Sequence, residues 1–233
     1  MRVLRLAFFL IGVISALTGV GGGVFFVPIL LALGYSPEVA VGTSSIAVAI
    51  TTSIGALGYY KHGLYDARIT LKAILVAYPG VILGVYLTLS VPSVVRPMIS
   101  LMLLFSALKA FKEFSLPKRI QCPGFFLAGL SVGLLGIGGG AILTPVIVST
   151  TPSSLVLALG ISYTTMPFLT IVSALLHYLY GSPDVFLGIS IGFLASIGAL
   201  LGSSIAKRYG KSLWGKRMIG ILMIFVALFV LLE

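Results

Sequence analysis

Two runs of three glycines interrupt apolar sequence and could bind a solute through backbone atoms. A helix broken inside a membrane leaves backbone N–H groups unpaired, and protein, water or a ligand must satisfy them. The helix that restarts after the break presents free donors and a partial positive charge at its N-terminus, which suits an anion. We therefore predict a solute path at both runs, with close helix packing as the alternative. The residues are Gly21, Gly22 and Gly23 in the first run and Gly138, Gly139 and Gly140 in the second.

Hydroxyl side chains follow each glycine run within apolar sequence. Hydroxyls can replace the water shell of an anion without adding a fixed charge, whereas hydrogen bonding between helices or back to their own helix is the alternative. For a single hydroxyl the alternative is favoured. For Ser44 and Ser162, which are equivalent and lie beside both runs, we favour the solute site. The candidate residues are Thr43, Ser44 and Ser45, and Ser162, Tyr163 and Thr164.

His177 is the titratable side chain of most interest. Its spacing places it on one helical face with Thr170 and Ser173. A histidine near or within a membrane span could carry protons for coupled transport. The loop at Gly181 is close, so an interfacial hydrogen-bonding role is the alternative. His62, beside a lysine and a glycine, is predicted to be solvated.

Ser162 and His177 also offer the parts of an intramembrane serine hydrolase. The serine has an equivalent in the other half, Ser44, but the histidine has none, which favours a scaffold or shared site over one-sided chemistry. The sequence has no HExxH motif and no Cys/His cluster, and its glycine runs lack the Lys-Ser/Thr of a P-loop. We therefore predict no enzyme activity, no metal and no cofactor.

These residues recur because the chain consists of two homologous halves. GVGGGVFFVP at residues 19–28 returns as GIGGGAILTP at residues 136–145, and an offset of 117 to 118 continues through each half. We predict a first repeat over 1–114 and a second over 115–233. Asp66 and Asp184 are also equivalent, and each is predicted to cap the helix that follows.

The composition places this chain in a bilayer. Hydrophobic residues make up 59% of it and charged residues only 9%, with a mean hydropathy of +1.19. The apolar runs reach the roughly 20 residues that span a membrane. The formal charge of +10 lies in short clusters between apolar segments, where cations act as topology signals. We predict a multi-pass membrane protein that does not bind nucleic acid.

Each half contains five apolar segments, of which the second is too short to span. Residues 22–34 and 140–150 cover roughly 16–20 Å as helices, so we predict half-helices that form a re-entrant pair with the segment before each glycine run. About three full spans per half remain. The first segment could pass for a secretory signal, but it aligns with 123–137, so we expect it to be retained. The segments are 3–18, 22–34, 39–60, 69–90 and 94–112, then 123–137, 140–150, 153–180, 184–206 and 214–232.

Loop charges indicate that the halves are inverted. Three full spans per half is an odd number, which reverses the second half. The loop at 61–72 carries three cations, while its counterpart YGSPDVFLG carries none. An inverted arrangement places more of the 15 Lys and Arg residues inside than a parallel one. Against it, Arg2 and Arg5 then lie outside. The predicted fold class is an all-α polytopic membrane protein built from two inverted repeats.

The glycine break with its proline, the following GTSSIAVAITTSIGALGYYKHG and their echo in the second half resemble the sulfite exporter TauE/SafE family over nearly the full length. The resemblance implies transport of a small sulfur-containing anion, such as sulfite or a sulfonate, across the cytoplasmic membrane of a prokaryotic cell. It supports the transport class more firmly than the solute.

We predict a secondary carrier that works by alternating access, with the two breaks meeting near mid-membrane. An anion channel and a membrane scaffold that does not transport are the alternatives. The predicted partners are a small anion, the lipid bilayer, a coupling proton or cation, and further copies of the chain.

Overall fold

The computed structural model describes residues 2–95, 97–98, 100–101 and 117–209, and in these ranges the chain is helical without strands. The predicted spans 94–112 and 214–232 and the repeat boundary at 114/115 fall largely or wholly outside the described residues. Two short 3₁₀ turns, Pro92–Val94 and Lys118–Ile120, complete the described elements. The helices are α1 Arg2–Thr18, α2 Gly23–Ala32, α3 Pro37–Lys61, α4 Ala67–Ser90, α5 Gln121–Leu135, α6 Gly140–Thr150, α7 Leu155–Tyr180 and α8 Val185–Tyr209.

Four of the described helices, α3, α4, α7 and α8, are long and apolar enough to cross a membrane. The helices α2 and α6 have 10 and 11 residues and measure about 15–17 Å, which is half of a bilayer core. Each begins directly at a glycine run, at Gly23 and at Gly140. Their lengths agree with the short segments predicted from the sequence.

Many large apolar side chains lie on the outside of the helix bundle, in addition to those of its core. Leu71, Leu75 and Ile82 of α4 are exposed on one face, and Phe186 at the start of α8 is 83% exposed. Many serine and threonine side chains are buried instead. Large apolar surfaces together with interior hydroxyls are what a hydrocarbon solvent requires. The chain is a multi-pass membrane protein, as predicted.

Among the described helices, glycines join the last helix of each half to the first helix of the other half. Gly80 of α4 lies so close to α5 that a Cβ atom would come 2.3 Å from the Phe126 carbonyl oxygen. At Gly198 of α8, the equivalent position, a Cβ would come 2.0 Å from the Phe9 carbonyl oxygen of α1. Only glycine permits such backbone contact between helices. Both pairs run parallel, because their contacts advance together along the two chains.

The central helices α3 and α7 occupy corresponding places in the two halves and run antiparallel. Gly42 lies against His177, Ser45 against Ser173, and Gly55 against Tyr163, so the contacts advance in opposite directions. At this contact, corresponding helices of the two halves therefore point to opposite ends of the bundle. Side chains carry this contact, in contrast to the backbone contacts that the glycines allow elsewhere.

The predicted caps are confirmed. Asp66 Oδ1 accepts hydrogen bonds from the Arg68 and Ile69 amides at 2.9 and 3.0 Å. Asp184 Oδ1 accepts from the Leu187 amide at 2.9 Å. These bonds satisfy first-turn donors of α4 and α8, so both carboxylates have a structural role at the ends of spans.

Candidate anion site at the glycine breaks

Both breaks require glycine because the backbone enters the left-handed region. Gly19 and Gly21 have φ angles of 67° and 89°, and the corresponding Gly136 and Gly138 have 62° and 81°. Side chains other than hydrogen strain this conformation. Each break therefore turns the chain sharply between two helices, as the glycine runs predicted.

The two breaks contact each other across the bundle. A Cβ on Gly21 would lie 3.4 Å from the Gly138 Cα. A Cβ on Gly23 would lie 2.1 Å from the Gly136 carbonyl oxygen, and one on Gly140 would lie 1.8 Å from the Gly19 carbonyl oxygen. All six predicted glycines are buried. The starts of α2 and α6 thus meet in the interior, packed closely in this conformation.

The starts of the two half-helices lack side-chain caps. Neither Gly22 at α2 nor Gly139 at α6 provides a hydrogen bond from a side chain to the first turn. The spans differ, since Asp66 caps α4 and Ser154 caps α7 by accepting from the Leu157 amide at 3.2 Å. First-turn amides without a cap are the donors that an anion can use.

The three hydroxyls of α3 point to three different neighbours. Ser44 donates to the Gly136 carbonyl oxygen at 2.9 Å and so contacts the second break directly. Ser45 Oγ is 3.1 Å from Ser173 Oγ on α7. Thr43 Oγ1 accepts from the Asp184 amide at 2.9 Å, which places it at the start of α8. Ser44 is therefore the α3 hydroxyl that bonds to a break.

Ser162 is buried and its hydroxyl has no hydrogen-bond partner among the described residues. Its equivalent, Ser44, bonds to the first glycine of the opposite break. The corresponding carbonyl for Ser162 would be that of Gly19, but Thr144 Oγ1 lies 3.5 Å from that oxygen. A buried hydroxyl without a partner is costly and calls for a ligand or water.

Tyr163 and Thr164 face away from the breaks. The Tyr163 hydroxyl is 2.8 Å from Ser15 Oγ on α1, and its ring packs on Tyr59 with centroids 5.3 Å apart. Thr164 donates to the Ile161 carbonyl of its own helix at 3.0 Å. Back-bonding of this kind is the alternative that the sequence left open for a single hydroxyl.

His177 is 1% exposed and lies beside Gly42. Its Nδ1 is 2.9 Å from the Ser173 carbonyl oxygen and 3.4 Å from Ser173 Oγ, while its Nε2 is buried without a partner. The histidine is thus inside the bundle and not at an interface with water. Ser173, four residues earlier, belongs to the same cluster. The sequence placed it on the same face as His177 but did not assign it to the site.

The structure does not form a serine hydrolase pair from Ser162 and His177. Both lie on α7, and fifteen residues of continuous helix separate them by about 22 Å. A nucleophile and its base must be within hydrogen-bond reach. In the described part of the chain, no group of three His, Cys, Asp or Glu side chains could hold a metal ion.

Over residues 4–230 the chain matches the family model described as sulfite exporter TauE/SafE. The chain belongs to this family. The resemblance seen in the glycine breaks is therefore confirmed, and membrane transport is the class of function that the family carries.

Three relatives of this TauE/SafE family member have been compared with it. The probable membrane transporter protein YjnA of Bacillus subtilis (strain 168) is 23% identical over 226 residues, covering 85% of this chain and 87% of YjnA. The probable membrane transporter protein YunE of the same organism is 26% identical over 169 residues, 58% of this chain and 62% of YunE. Sulfite exporter TauE/SafE family protein 1 of Arabidopsis thaliana is 35% identical over 75 residues, 32% of this chain and 17% of that protein. The chain thus spans less than two thirds of the length of the last two.

Proposed function

We propose that this protein carries a small anion across the cytoplasmic membrane and binds it where the two glycine breaks meet. One observation carries the proposal: the uncapped starts of α2 and α6 lie where the two breaks pack together in the interior. The buried hydroxyl of Ser162, whose equivalent Ser44 bonds to a break, has no described partner. Helix N-termini and hydroxyls can hold an anion reversibly without a fixed positive charge. Family membership supports the transport class.

Sulfite is the solute we propose first, with small sulfonates next. The support is the description of the family and the name of the Arabidopsis relative. A sulfur oxyanion has several acceptor oxygens, and the two half-helices offer first-turn amides from two directions. Ser44, which donates to Gly136 at rest, could turn its hydroxyl to the solute.

We further propose that the repeats, 1–114 and 115–233, are inverted and related by an axis in the membrane plane. The antiparallel contact between α3 and α7 supports this, since it places corresponding spans in opposite directions. Transporters built from inverted repeats bind solutes near the midplane at interrupted helices. We propose such a position for the glycine breaks, which contact each other between the two halves.

We propose that two rigid bodies, each a group of helices, move against each other during transport, and that these bodies differ from the two sequence repeats. Glycine contacts attach α8 to α1 and α3, and α4 to α5. In the first body α1, α2 and α3 move with α8, and in the second α5, α6 and α7 move with α4. The side-chain contact between α3 and α7 is then the surface along which the bodies rock. The loops at 62–66 and 181–184 serve as hinges.

A flux assay in proteoliposomes tests the proposal. We expect saturable uptake of sulfite, and faster uptake when the vesicles contain unlabelled sulfite, because a carrier exchanges solutes through one site. Sulfate, thiosulfate and small sulfonates form the comparison set, and vesicles without protein form the control. Flux that does not saturate or show exchange would indicate a channel. The absence of flux for every anion would favour a scaffold and contradict the proposal.

A further inference from the structure

Equivalent positions of the two halves form two clusters of different chemistry between α3 and α7. An offset of 118 pairs Tyr59 with His177, Ser45 with Tyr163 and Gly55 with Ser173. In the structure one member of each pair joins each cluster. Tyr59, Tyr163 and Gly55 form the tyrosine cluster, and His177, Ser45 and Ser173 form the histidine cluster.

The tyrosine cluster is filled and its hydrogen bonds are complete. The Tyr59 hydroxyl donates to the Ala16 carbonyl oxygen, and the Tyr163 hydroxyl bonds to Ser15 Oγ. A Cβ on Gly55 would lie 2.6 Å from Tyr163 Cε1, which shows that the ring occupies the space of a side chain there. No unsatisfied polar group is left at this cluster for a ligand.

The histidine cluster has an unused hydrogen-bond acceptor. A carbonyl oxygen can only accept, so the short bond to Ser173 places a proton on His177 Nδ1. In the neutral ring Nε2 then carries a lone pair, and this atom is buried without a partner. A buried acceptor without a donor is costly, and native interiors rarely leave one.

The histidine cluster adjoins the second glycine break. Ser45 Oγ contacts Ser173 Oγ and lies 3.2 Å from the position that a Cβ on Gly136 would occupy. Ser173 in turn contacts His177 Nδ1 through its carbonyl and hydroxyl oxygens. A solute held at the second break beside Gly136 could therefore reach the cluster through Ser45.

We infer that His177, Ser45 and Ser173 form a subsite for a small oxyanion that still carries one acidic proton, such as hydrogensulfite. The equivalent positions form the tyrosine cluster, so the protein has one such subsite and not two among the described residues. The solute O–H donates to Nε2. The Ser45 and Ser173 hydroxyls turn away from each other and from the Val132 carbonyl, 3.4 Å from Ser173 Oγ, and donate to the other solute oxygens. An oxyanion without this proton presents only lone pairs to Nε2 and is repelled. If the proton moves to the imidazole, solute and proton still occupy the site together. The inference rests on the proposed function and gives its solute a protonation state.

Other ionisable groups at this end of the bundle already have protein partners or lie outside. The Asp184 carboxylate accepts from the Leu187 amide at 2.9 Å and from the Tyr35 hydroxyl at 3.3 Å, and Glu38 accepts from the Ser36 hydroxyl at 2.8 Å. Partial burial and the Asp184 charge raise the pKa of Tyr35, which keeps it protonated near neutral pH. Among described residues on the packed elements, these groups are Glu38 and Tyr35 near the start of α3, the exposed Tyr86 on α4, Asp184 before α8, and the exposed Tyr178 and Tyr180 on α7 itself.

Binding to the purified protein tests this with two matched solutes. Sulfite and methanesulfonate share an SO₃ head, but only hydrogensulfite carries an acidic proton. We expect methanesulfonate to bind about tenfold or more weakly, the value of one hydrogen bond to a charged group. Affinity for total sulfite should fall about tenfold per pH unit once free hydrogensulfite loses its proton. Equal binding of both solutes, or sulfite binding that does not vary with pH, would overturn the inference.

Variants test whether His177 causes the preference for sulfite and its pH dependence. His177→Asn keeps a donor for the Ser173 carbonyl but has no Nε2, so we expect it to lose the preference for sulfite and the pH dependence. His62→Asn at the far end of α3, and Tyr59→Phe at the equivalent position, should keep both. A His177→Asn protein that binds like the parent would overturn the inference. If this variant does not fold, the comparison of the two solutes on the parent still decides.

The proposed function and this inference fail in different ways. A parent protein that binds and transports neither solute contradicts both. A parent that transports sulfite and methanesulfonate equally, without pH dependence, keeps the proposed function and contradicts only the subsite.

Discussion

Ser44 and Ser162 occupy equivalent positions but use their hydroxyls differently. Ser44 donates to the Gly136 carbonyl, whereas the buried Ser162 hydroxyl has no described partner. The difference follows from one residue on α6, since Thr144 approaches the carbonyl that Ser162 would otherwise reach. Substitution of Ser44 should therefore affect mainly stability, whereas substitution of Ser162 should affect mainly solute binding.

We expect Ser44→Ala to destabilise the protein and Ser162→Ala to weaken solute binding. The first change leaves a buried carbonyl without its donor, at about 1–3 kcal/mol. The second removes a buried hydroxyl that has no described partner, so the free energy of unfolding without solute should not fall, while sulfite affinity falls about tenfold. Thermal unfolding in detergent with and without sulfite measures both.

The matched control for these serines is Ser190→Ala, which removes a hydroxyl that bonds only to its own helix at Phe186. This variant should change neither the thermal unfolding nor the sulfite affinity. A Ser162→Ala protein with the parent's sulfite affinity would show that this hydroxyl does not contact the solute.

At the scale of helices, the contact between the two breaks depends on the absence of side chains. A Cβ on Gly140 would lie 1.8 Å from the backbone oxygen of Gly19, and backbone cannot move aside cheaply. The atoms nearest to a Cβ on Gly22 belong to the ring of Phe26, at 2.6 Å, and a side chain can shift more readily than backbone. Two glycines in equivalent runs thus differ in what surrounds them.

We therefore expect Gly140→Ala to cost about 1–3 kcal/mol of stability and to abolish sulfite flux, because it separates the starts of the two half-helices. Gly22→Ala is the comparison variant and should cost less stability, because its methyl group would meet a side chain and not backbone. Unfolding of the reconstituted protein and vesicle flux provide the measurements. A Gly140→Ala protein with normal flux would show that the breaks need not touch during transport.

The sequence could predict where helices lie along the chain better than which helices pack against each other. The predicted segments 22–34 and 140–150 agree with α2 and α6, because glycine runs and length are local signals. The partners of Gly80 and Gly198 were not predictable, since a glycine face indicates close packing but does not name the helix that packs. The same holds for the Ser45 contact with Ser173, which joins positions 128 residues apart. The repeat located Ser44 and Ser162 but could not reveal that one of them lacks a partner.

At the scale of the molecule, the antiparallel α3 and α7 place their C-terminal ends at opposite ends of the bundle. Lys61 ends α3, and Ser182 follows α7 in a loop without cations. Both positions are exposed. The positive-inside rule assigns the loop at Lys61 to the cytoplasm.

We expect Lys61→Cys to react with a membrane-impermeant thiol reagent only from the cytoplasmic side and Ser182→Cys only from the outside. The parent for both is Cys122→Ser, which removes the one cysteine of the chain. Labelling of intact cells and of inverted vesicles gives the measurement. Reaction of both cysteines from the same side would contradict the inverted arrangement.

Because α1 packs against α8, a helix of the other half, the order of synthesis also affects assembly. The ribosome delivers α1 to the membrane first, but the helix whose glycines match its surface, α8, is the last of the described helices to arrive. Until then the face of α1 that carries Gly12 lacks the helix that packs against it. We expect assembly to be completed late in synthesis, and a chain that stops after α7 leaves this face of α1 without α8 and exposed to quality control by membrane proteases.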